Sequence, residues 1–448
     1  MKKLVLLSVV FVALLSGCGG RSTDREDVEA FRTAFLAGEY AWDDVIARAA
    51  EEGAVEFYHW GGSEALNSWL EVSARPAIER YGISLNLRRA DTRDVVEIIL
   101  ADNIAQRGLG EGTVDFVWIN GENFRTLKEQ GALFGPFAAL LPNSQFFALD
   151  PQDPMASVNL FDFGTPTELM EMPWASFQFI FRIDTARIDR EAVPTTFVEL
   201  EEWMQQNPGR FTYVAPPHYI GTTFVQTLMY EKNPDGTFFE PFLQEPAALG
   251  LDEFIRLTEP AFAYLRRIEP WLLGQGSPVY PATAGALQAR FVGGEIDFDM
   301  EYGIYDVDRD MRTGIYPETV ENIIFPQSGM ITDKSFLAIP ANAPNPAAAL
   351  VAINALSSPE SQLSKLVDIG YAPGLDVPFL DGDTQELFMR SAPDLHGVTA
   401  EDLSRRAVPN VNAAFVDIID GVWLEYIGER STRSFTDVVT AVWGNIVP

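Results

Sequence analysis

Stretches in which apolar residues recur every three to four positions alternate along the chain with short runs in which they recur every second position or continuously. Trp42, Val45, Ile46, Ala49 and Ala50 form one stripe and predict a helix over Trp42–Glu52, ended by Gly53. Ala54–Trp60 reads as a strand, followed by Gly61-Gly62. Ser63 is placed to cap a helix from Glu64 to Tyr81, broken or kinked at Pro76. Ile83–Arg88 predicts a second strand. Thr92 caps a helix from Asp94 to about Arg107, and Val114–Ile119 is a third, wholly apolar strand. Asn120-Gly121 turns that strand into a helix over Phe124–Gln130. This βαβαβα order predicts a mainly parallel sheet covered by helices on both faces.

Further on, Gly135–Asp162 has loop composition, and Pro173–Ile183 predicts one long strand carrying Trp174, Phe177, Phe179 and Phe181. Strands at Phe211–Ala215, Ile296–Tyr302 and Ser335–Ile339 alternate with helices at Phe197–Gln206, from Thr222, at Tyr280–Phe291, at Ala347–Leu356 and from Pro359 to Gly370.

The N-terminus changes the picture. Lys2-Lys3 precedes an apolar run, Leu4–Leu15, of secretion-signal length and too short to span a bilayer. The run ends in Leu15-Ser16-Gly17-Cys18, which resembles a bacterial lipobox. Residues 1–17 are therefore expected to be a signal peptide, Cys18 the lipidation site and 18–40 a tether. Cys18 is the only cysteine, so its acylation leaves no disulfide and apolar cores must hold the fold. The composition supplies them, at 47% hydrophobic and 12% aromatic. With 64 acidic residues against 32 basic, a net charge of −32, no basic face is available for nucleic acid.

Ligands of open α/β sheets bind beyond the carboxyl ends of strands, so the candidate site residues are those that follow each predicted strand. They are His59, Trp60, Gly61 and Gly62; Asn120, Glu122 and Asn123; Trp174 and Gln178; Tyr219, Gly221, Thr222 and Thr223; and Asp299, Glu301 and Tyr302. Trp60 and Trp174 offer ring faces to a cation, and Glu122 a carboxylate to a positive group. Both tryptophans could instead be core, Asn120 a helix cap, and the 299–302 carboxylates solvated or paired with Arg. Trp118 reads as core. The His218–Thr223 stretch resembles an anion-binding helix start, with a plain capped loop as the alternative. The three histidines, at 59, 218 and 396, are far apart and no Cys/His cluster exists, so no metal site is expected, nor any cofactor. No G-x-S-x-G nucleophile elbow occurs.

Tyr58–Gly62, Asp115–Phe124 (DFVWINGENF), Gly135–Asn143, Asp162–Gly164, Glu171–Trp174, Gly314–Pro317 and Ala338–Pro344 resemble the YnjB-type substrate-binding proteins of ABC importers. Leu356–Gln362 with Gly370–Pro373 resembles a segment common to many solute-binding proteins. The resemblance implies the two-lobed periplasmic-binding-protein fold, each lobe a mainly parallel sheet flanked by helices, with the ligand cleft between lobes. Lobe 1 is expected over 41–165 plus about 295–340, and lobe 2 over 166–294 plus about 341–448. It implies no enzymatic activity: a monomeric, lipid-anchored extracytoplasmic receptor that closes on a small solute and hands it to a permease. The ATPase is a separate chain, since no G-x-x-x-x-G-K-[ST] occurs here. Aromatic walls with Glu122, Asp299 and Glu301 lean towards a cationic organic solute, thiamine-like or polyamine-like. The helix start at Gly221 leans towards an oxyanion. A secreted carboxylate-dependent hydrolase and a ligand-binding subunit for a sensor remain as alternatives.

Overall fold

A computed structural model describes residues 25–153, 155–324 and 329–447. The expected signal peptide, residues 1–17, and the expected lipidation site Cys18 lie outside them. No helix among the described residues is long and apolar enough to cross a membrane.

Eight strands carry the architecture: β1 (Ala54–His59), β2 (Ser84–Arg89), β3 (Phe116–Ile119), β4 (Glu171–Gln178), β5 (Ile180–Asp184), β6 (Phe298–Glu301), β7 (Val320–Ile323) and β8 (Met330–Ala338). The larger sheet runs β4-β8-β3-β1-β2, with Ala372–Pro373 added outside β4 and Ala407–Val408 beside the start of β8. Its β1, β2 and β3 are parallel, as the βαβ pattern requires, whereas β8 is antiparallel to both β3 and β4. Alternate residues of β3 feed different cores: Phe116 and Trp118 pack on one face, Val117 and Ile119 on the other. The smaller sheet, β6-β5-β7, is wholly antiparallel and supports a third core. The expectation of a mainly parallel sheet in each lobe thus fails here, because β5 runs opposite to both strands that flank it, β6 and β7.

The single strand expected over Pro173–Ile183 is two strands in two sheets. At the joint, the Gln178 N–H donates to the Tyr302 carbonyl (3.1 Å) and the Phe179 N–H to that of Ile331 (2.8 Å). A second passage is β8 itself, which begins among the apolar residues of the small-sheet core (Met330, Ile331) and ends in those of the large sheet (Leu337).

These passages redraw the expected boundaries. Phe298–Glu301 and Val320–Ile323 pair with β5, so the stretch beginning at about 295 joins the small sheet until β8 leads back. The helices Pro346–Leu356 and Pro359–Ile369, expected in lobe 2, pack instead into the core that holds Phe57 and Trp118. Apolar periodicity marks a strand or helix without saying which sheet it joins. The tether expected over 18–40 also gives way: Arg25–Leu36 is a helix whose Val28, Phe31 and Phe35 are buried, with the Arg48 guanidinium 4.5 Å from the Phe31 ring centre.

Local departures have local causes. Between Glu64 and Glu79 the helix widens over Leu70–Ala74, where the Arg75 N–H reaches back to the Leu70 carbonyl, just ahead of Pro76. Asp91, not Thr92, caps the helix Thr92–Ile104. Phe211–Ala215 is buried but joins neither ladder. Its polar groups bond to loops instead, as in the Ala215 N–H to Pro281 carbonyl contact of 2.8 Å.

Candidate functional site

Between the two sheets lies a cavity of about 500 Å³. The large sheet brings to it the residue after β1 (Trp60), the residue after β3 (Asn120), the first helical turn that follows (Glu122, Asn123) and Asp333 of β8. The other wall comes from the start of the helix Tyr219–Lys232 (Tyr219, Thr222, Thr223), the end of β6 (Glu301, Tyr302) and Asp420 of the helix Val416–Trp423. Nine of the expected residues therefore meet around one space: Trp60, Asn120, Glu122, Asn123, Tyr219, Thr222, Thr223, Glu301 and Tyr302.

Gly121 makes the turn into its helix possible. Its φ of 60° suits glycine, the Phe163 ring lies 3.4 Å from where a Cβ would stand, and its N–H donates to the buried Asp162 (2.7 Å).

The other expected site residues do not line the cavity. Trp174 is fully buried in the large-sheet core, 4.6 Å ring-to-ring from Trp118, with the Lys365 Nζ 4.7 Å over its face, an amine that burial and the nearby Lys334 push well below the usual lysine range. His59 is buried against Phe57, and burial pushes its imidazole down to about 4, so it is neutral. Gly62 makes room for Trp60, since a Cβ on it would stand 2.2 Å from the indole, and Gly61, at φ 72°, packs against the Arg89 side chain, 2.9 Å from a notional Cβ. Gln178 bonds across the crossing to the Leu403 carbonyl (3.0 Å). Gly221 lets its helix press on the segment before it, 2.2 Å from the Val214 carbonyl to a notional Cβ. Asp299 is enclosed with Arg182 (3.4 Å) and the Tyr316 hydroxyl (2.5 Å). Trp118, read as core, is mostly core but also reaches the cavity.

The sequence reading missed Asp333, Asp420, Asp306, Arg309, Phe177 and Tyr371 as lining residues. Neither of the first two stood out in the sequence: Asp333 lies in the polar stretch Thr332–Ser335, ahead of the strand start set at Ser335, and Asp420 shares its helix with a second acid, Asp417.

The cavity is acidic. Six carboxylates line it (Asp91, Glu122, Glu301, Asp306, Asp333 and Asp420) against two guanidiniums, Arg93 and Arg309. Arg309 is engaged by Asp306 (2.5 Å) and Asp310 (2.9 Å), and Arg93 stands 3.9 Å from Glu122. Glu301 accepts only neutral donors, the Tyr302 N–H (2.9 Å) and the Tyr219 hydroxyl (3.3 Å). Asp333 accepts from the Asn120 amide (3.2 Å), and Asp420 from the Thr222 hydroxyl (2.5 Å). Burial pushes Glu301 and Asp420 up to about 7, the first aided by Asp306, and Asp333 up to about 8, aided by Glu122.

The expected anion site at the helix start does not form. The His218 side chain caps it, its Nδ1 accepting the Ile220 N–H, and Asp420 lies against Thr222. Aromatic rings complete the walls: Trp60 stands edge-on to Tyr219 (6.3 Å) and to Trp118 (6.2 Å), and Tyr219 lies 6.1 Å from Tyr302. Beside the cavity, Arg125 ties the walls together through Asn412 (3.0 Å) and Glu245 (3.1 Å), and the Ala413 N–H donates to the Phe163 carbonyl (2.7 Å).

Residues 74–386 match the family model described as bacterial extracellular solute-binding protein. Protein YnjB of Escherichia coli (strain K12) is 33% identical over 396 residues, covering 86% of this chain and 94% of YnjB. Two solved structures share the fold. Maltose-bound MalE3 of T. maritima superposes with a TM-score of 0.63 at 14% identity, over 88% of this chain and 98% of that one. MalE of Bdellovibrio bacteriovorus bound to maltotriose also gives 0.63, at 12% identity, over 88% and 99%.

Proposed function

The chain belongs to the bacterial extracellular solute-binding proteins, the extracytoplasmic and non-catalytic receptors of ABC importers, and we propose that its solute is a small organic cation. The observation that carries this reading is the excess of carboxylates over guanidiniums on the cavity wall, among aromatic rings. A desolvated carboxylate without a cationic partner is costly, and a positive ligand removes that cost. Ring faces add about 0.5–2 kcal/mol for a cation seated on them. An anionic solute would meet like charge on both walls.

In this proposal the parts built on the two sheets are two lobes. Residues 25–178 and 330–392 form the first, and 179–324 with about 403–447 the second. They open and close about the crossings at 178–179 and 330–333. The contacts of Arg125 and Phe163 across the cavity edge belong to the closed form, which the solute stabilises to the extent that it binds that form better. The closed receptor then docks on the permease, while the cytoplasmic ATPase drives release. Cys18 carries the acyl chains that hold the receptor, as a monomer, at the membrane.

A thermal-shift screen of the mature chain tests the solute class. Thiamine, putrescine and other organic cations are compared with maltose and with organic phosphates. A ligand at about 100 times its Kd adds roughly 2.7 kcal/mol to stability and raises the melting temperature. The expected result is a rise with one or more cations and none with the sugar or phosphates. A rise confined to the neutral or anionic compounds would overturn the reading.

A further inference from the structure

We propose that the solute carries two positive groups, bound at separate poles of the cavity: one among Glu122, Asp333 and Asp420, the other at Glu301. The inference rests on the cation reading above and adds a second charge to it. The spacing follows from strand register. Asp333 lies opposite Phe177 in the β4–β8 ladder, and Glu301 opposite Ile180 in the β5–β6 ladder. Three residues of extended chain separate Phe177 from Ile180, roughly 10 Å at the usual rise.

The two carboxylates also flank opposite sides of the crossing. The Gln178 N–H points to Tyr302, the neighbour of Glu301, whereas the Phe179 N–H points to Ile331, two residues from Asp333. Each neighbouring strand adds a lateral step of about 4.8 Å. One ammonium can touch two carboxylate oxygens only when they lie within about 6 Å of each other, at 2.7–2.9 Å per contact. Two short acidic side chains recover only part of the larger gap, so a single charge serves one pole and leaves the other unmet.

Each pole is short of positive charge in its own right. Glu301 has only the tyrosine hydroxyl and a backbone N–H. Asp333 and Asp420 have an amide and a hydroxyl, and Glu122 has Arg93 at 3.9 Å. Between the poles stands Tyr302, whose hydroxyl is fixed by Thr223 at 2.8 Å. Trp60 and Tyr219 lie beside it, offering ring surface to an uncharged spacer.

Calorimetric titration of the mature chain with matched probes decides the matter. α,ω-Diaminoalkanes of graded length are compared with n-alkylamines of the same length, and p-xylylenediamine with benzylamine. At the best spacer length the diamine is expected to bind at least about tenfold more tightly than its monoamine. Glu301→Gln, and separately Asp333→Asn, should bring the diamine down to the monoamine's affinity while the monoamine changes by less than about threefold. Melting curves of both ligand-free variants confirm that they fold, and Asp420→Asn serves as a second probe of the first pole. Equal binding of diamine and monoamine at every length would sink the two-pole arrangement and leave the cation reading standing. Binding of neither probe class overturns both.

Discussion

The protein buries carboxylates in two settings. Beside the large sheet, Asp115 accepts the Glu56 N–H (2.7 Å), the Asn345 N–H (2.7 Å) and the Asn345 side-chain amide (3.1 Å). Glu52 sits at the N-terminus of the helix Pro346–Leu356 and takes the Ala348 N–H at 2.7 Å. Around the cavity, Glu301, Asp333 and Asp420 have fewer donors and face open space. Their titration ranges overlap: burial pushes Asp115 up to about 6 and Glu52 to about 7, against about 7 to 8 for the cavity group. Burial alone therefore does not separate a structural acid from a binding one. The neighbours do. Backbone N–H groups from distant segments (Glu56, Asn345 and Ala348) make the first set part of the fold, whereas the backbone donors of Glu301 and Asp333 are only their own next residues, and the second set is left for a partner that arrives.

The sharpest way to break this contrast is to remove one acid from each setting. Asp115→Ala strands the donors it serves, each worth about 1–3 kcal/mol when buried and unpaired. It should destabilise the fold by about 3–5 kcal/mol in urea unfolding and leave solute affinity per folded molecule unchanged. Asp333→Asn should do the reverse. A buried charge pair that loses one partner costs about 2–4 kcal/mol of binding, roughly 30- to 1,000-fold in Kd, while the ligand-free melting temperature stays level or rises. Loss of stability without loss of affinity in Asp333→Asn would place that residue with the structural set.

The smallest effect concerns pH. A carboxylate raised by folding favours the folded state while protonated. Stability of the ligand-free protein should be highest at about pH 4, the value of an unfolded carboxylate, and fall as pH rises from there through about 8, the range of the raised groups. A cation binds the ionised forms, so its affinity should rise over the same range, by up to about tenfold per pH unit for each proton released. With saturating cation the stability slope should flatten, because the cavity acids are then held ionised and only the raised acids away from the cavity, Glu52, Asp115, Asp162 and Glu171 among them, continue to oppose ionisation. Melting temperatures at graded pH, with and without the solute, give both slopes.

The order of helices and strands was legible in the chain because burying one face leaves a periodic trace in the sequence. The rule that ligands bind beyond strand ends led to Trp60, Asn120, Glu122 and Glu301 as cavity-lining residues, whereas Tyr219 lines the cavity although the strand expected before it does not form. Trp174 misled for a physical reason: an indole among turn signals reads the same whether it faces a solute or, as here, packs on Trp118 and the Lys365 side chain. The reverse held for Asp333 and Asp420, which look like ordinary polar positions beside Lys334 and Asp417 until their elements meet across the cavity.

Sequence alone determined most elements of the first sheet and their αβ order, and an acidic, aromatic-rich chain with a secretion-type start. Only the tertiary structure decided which sheet each strand joined, that β4 and β5 divide one apolar run between two sheets, and which carboxylates remain short of partners. The reason is range. Periodicity reports contacts between residues a few positions apart, whereas the cavity is made by residues such as Trp60, Tyr219, Asp333 and Asp420, which only long-range pairing brings together.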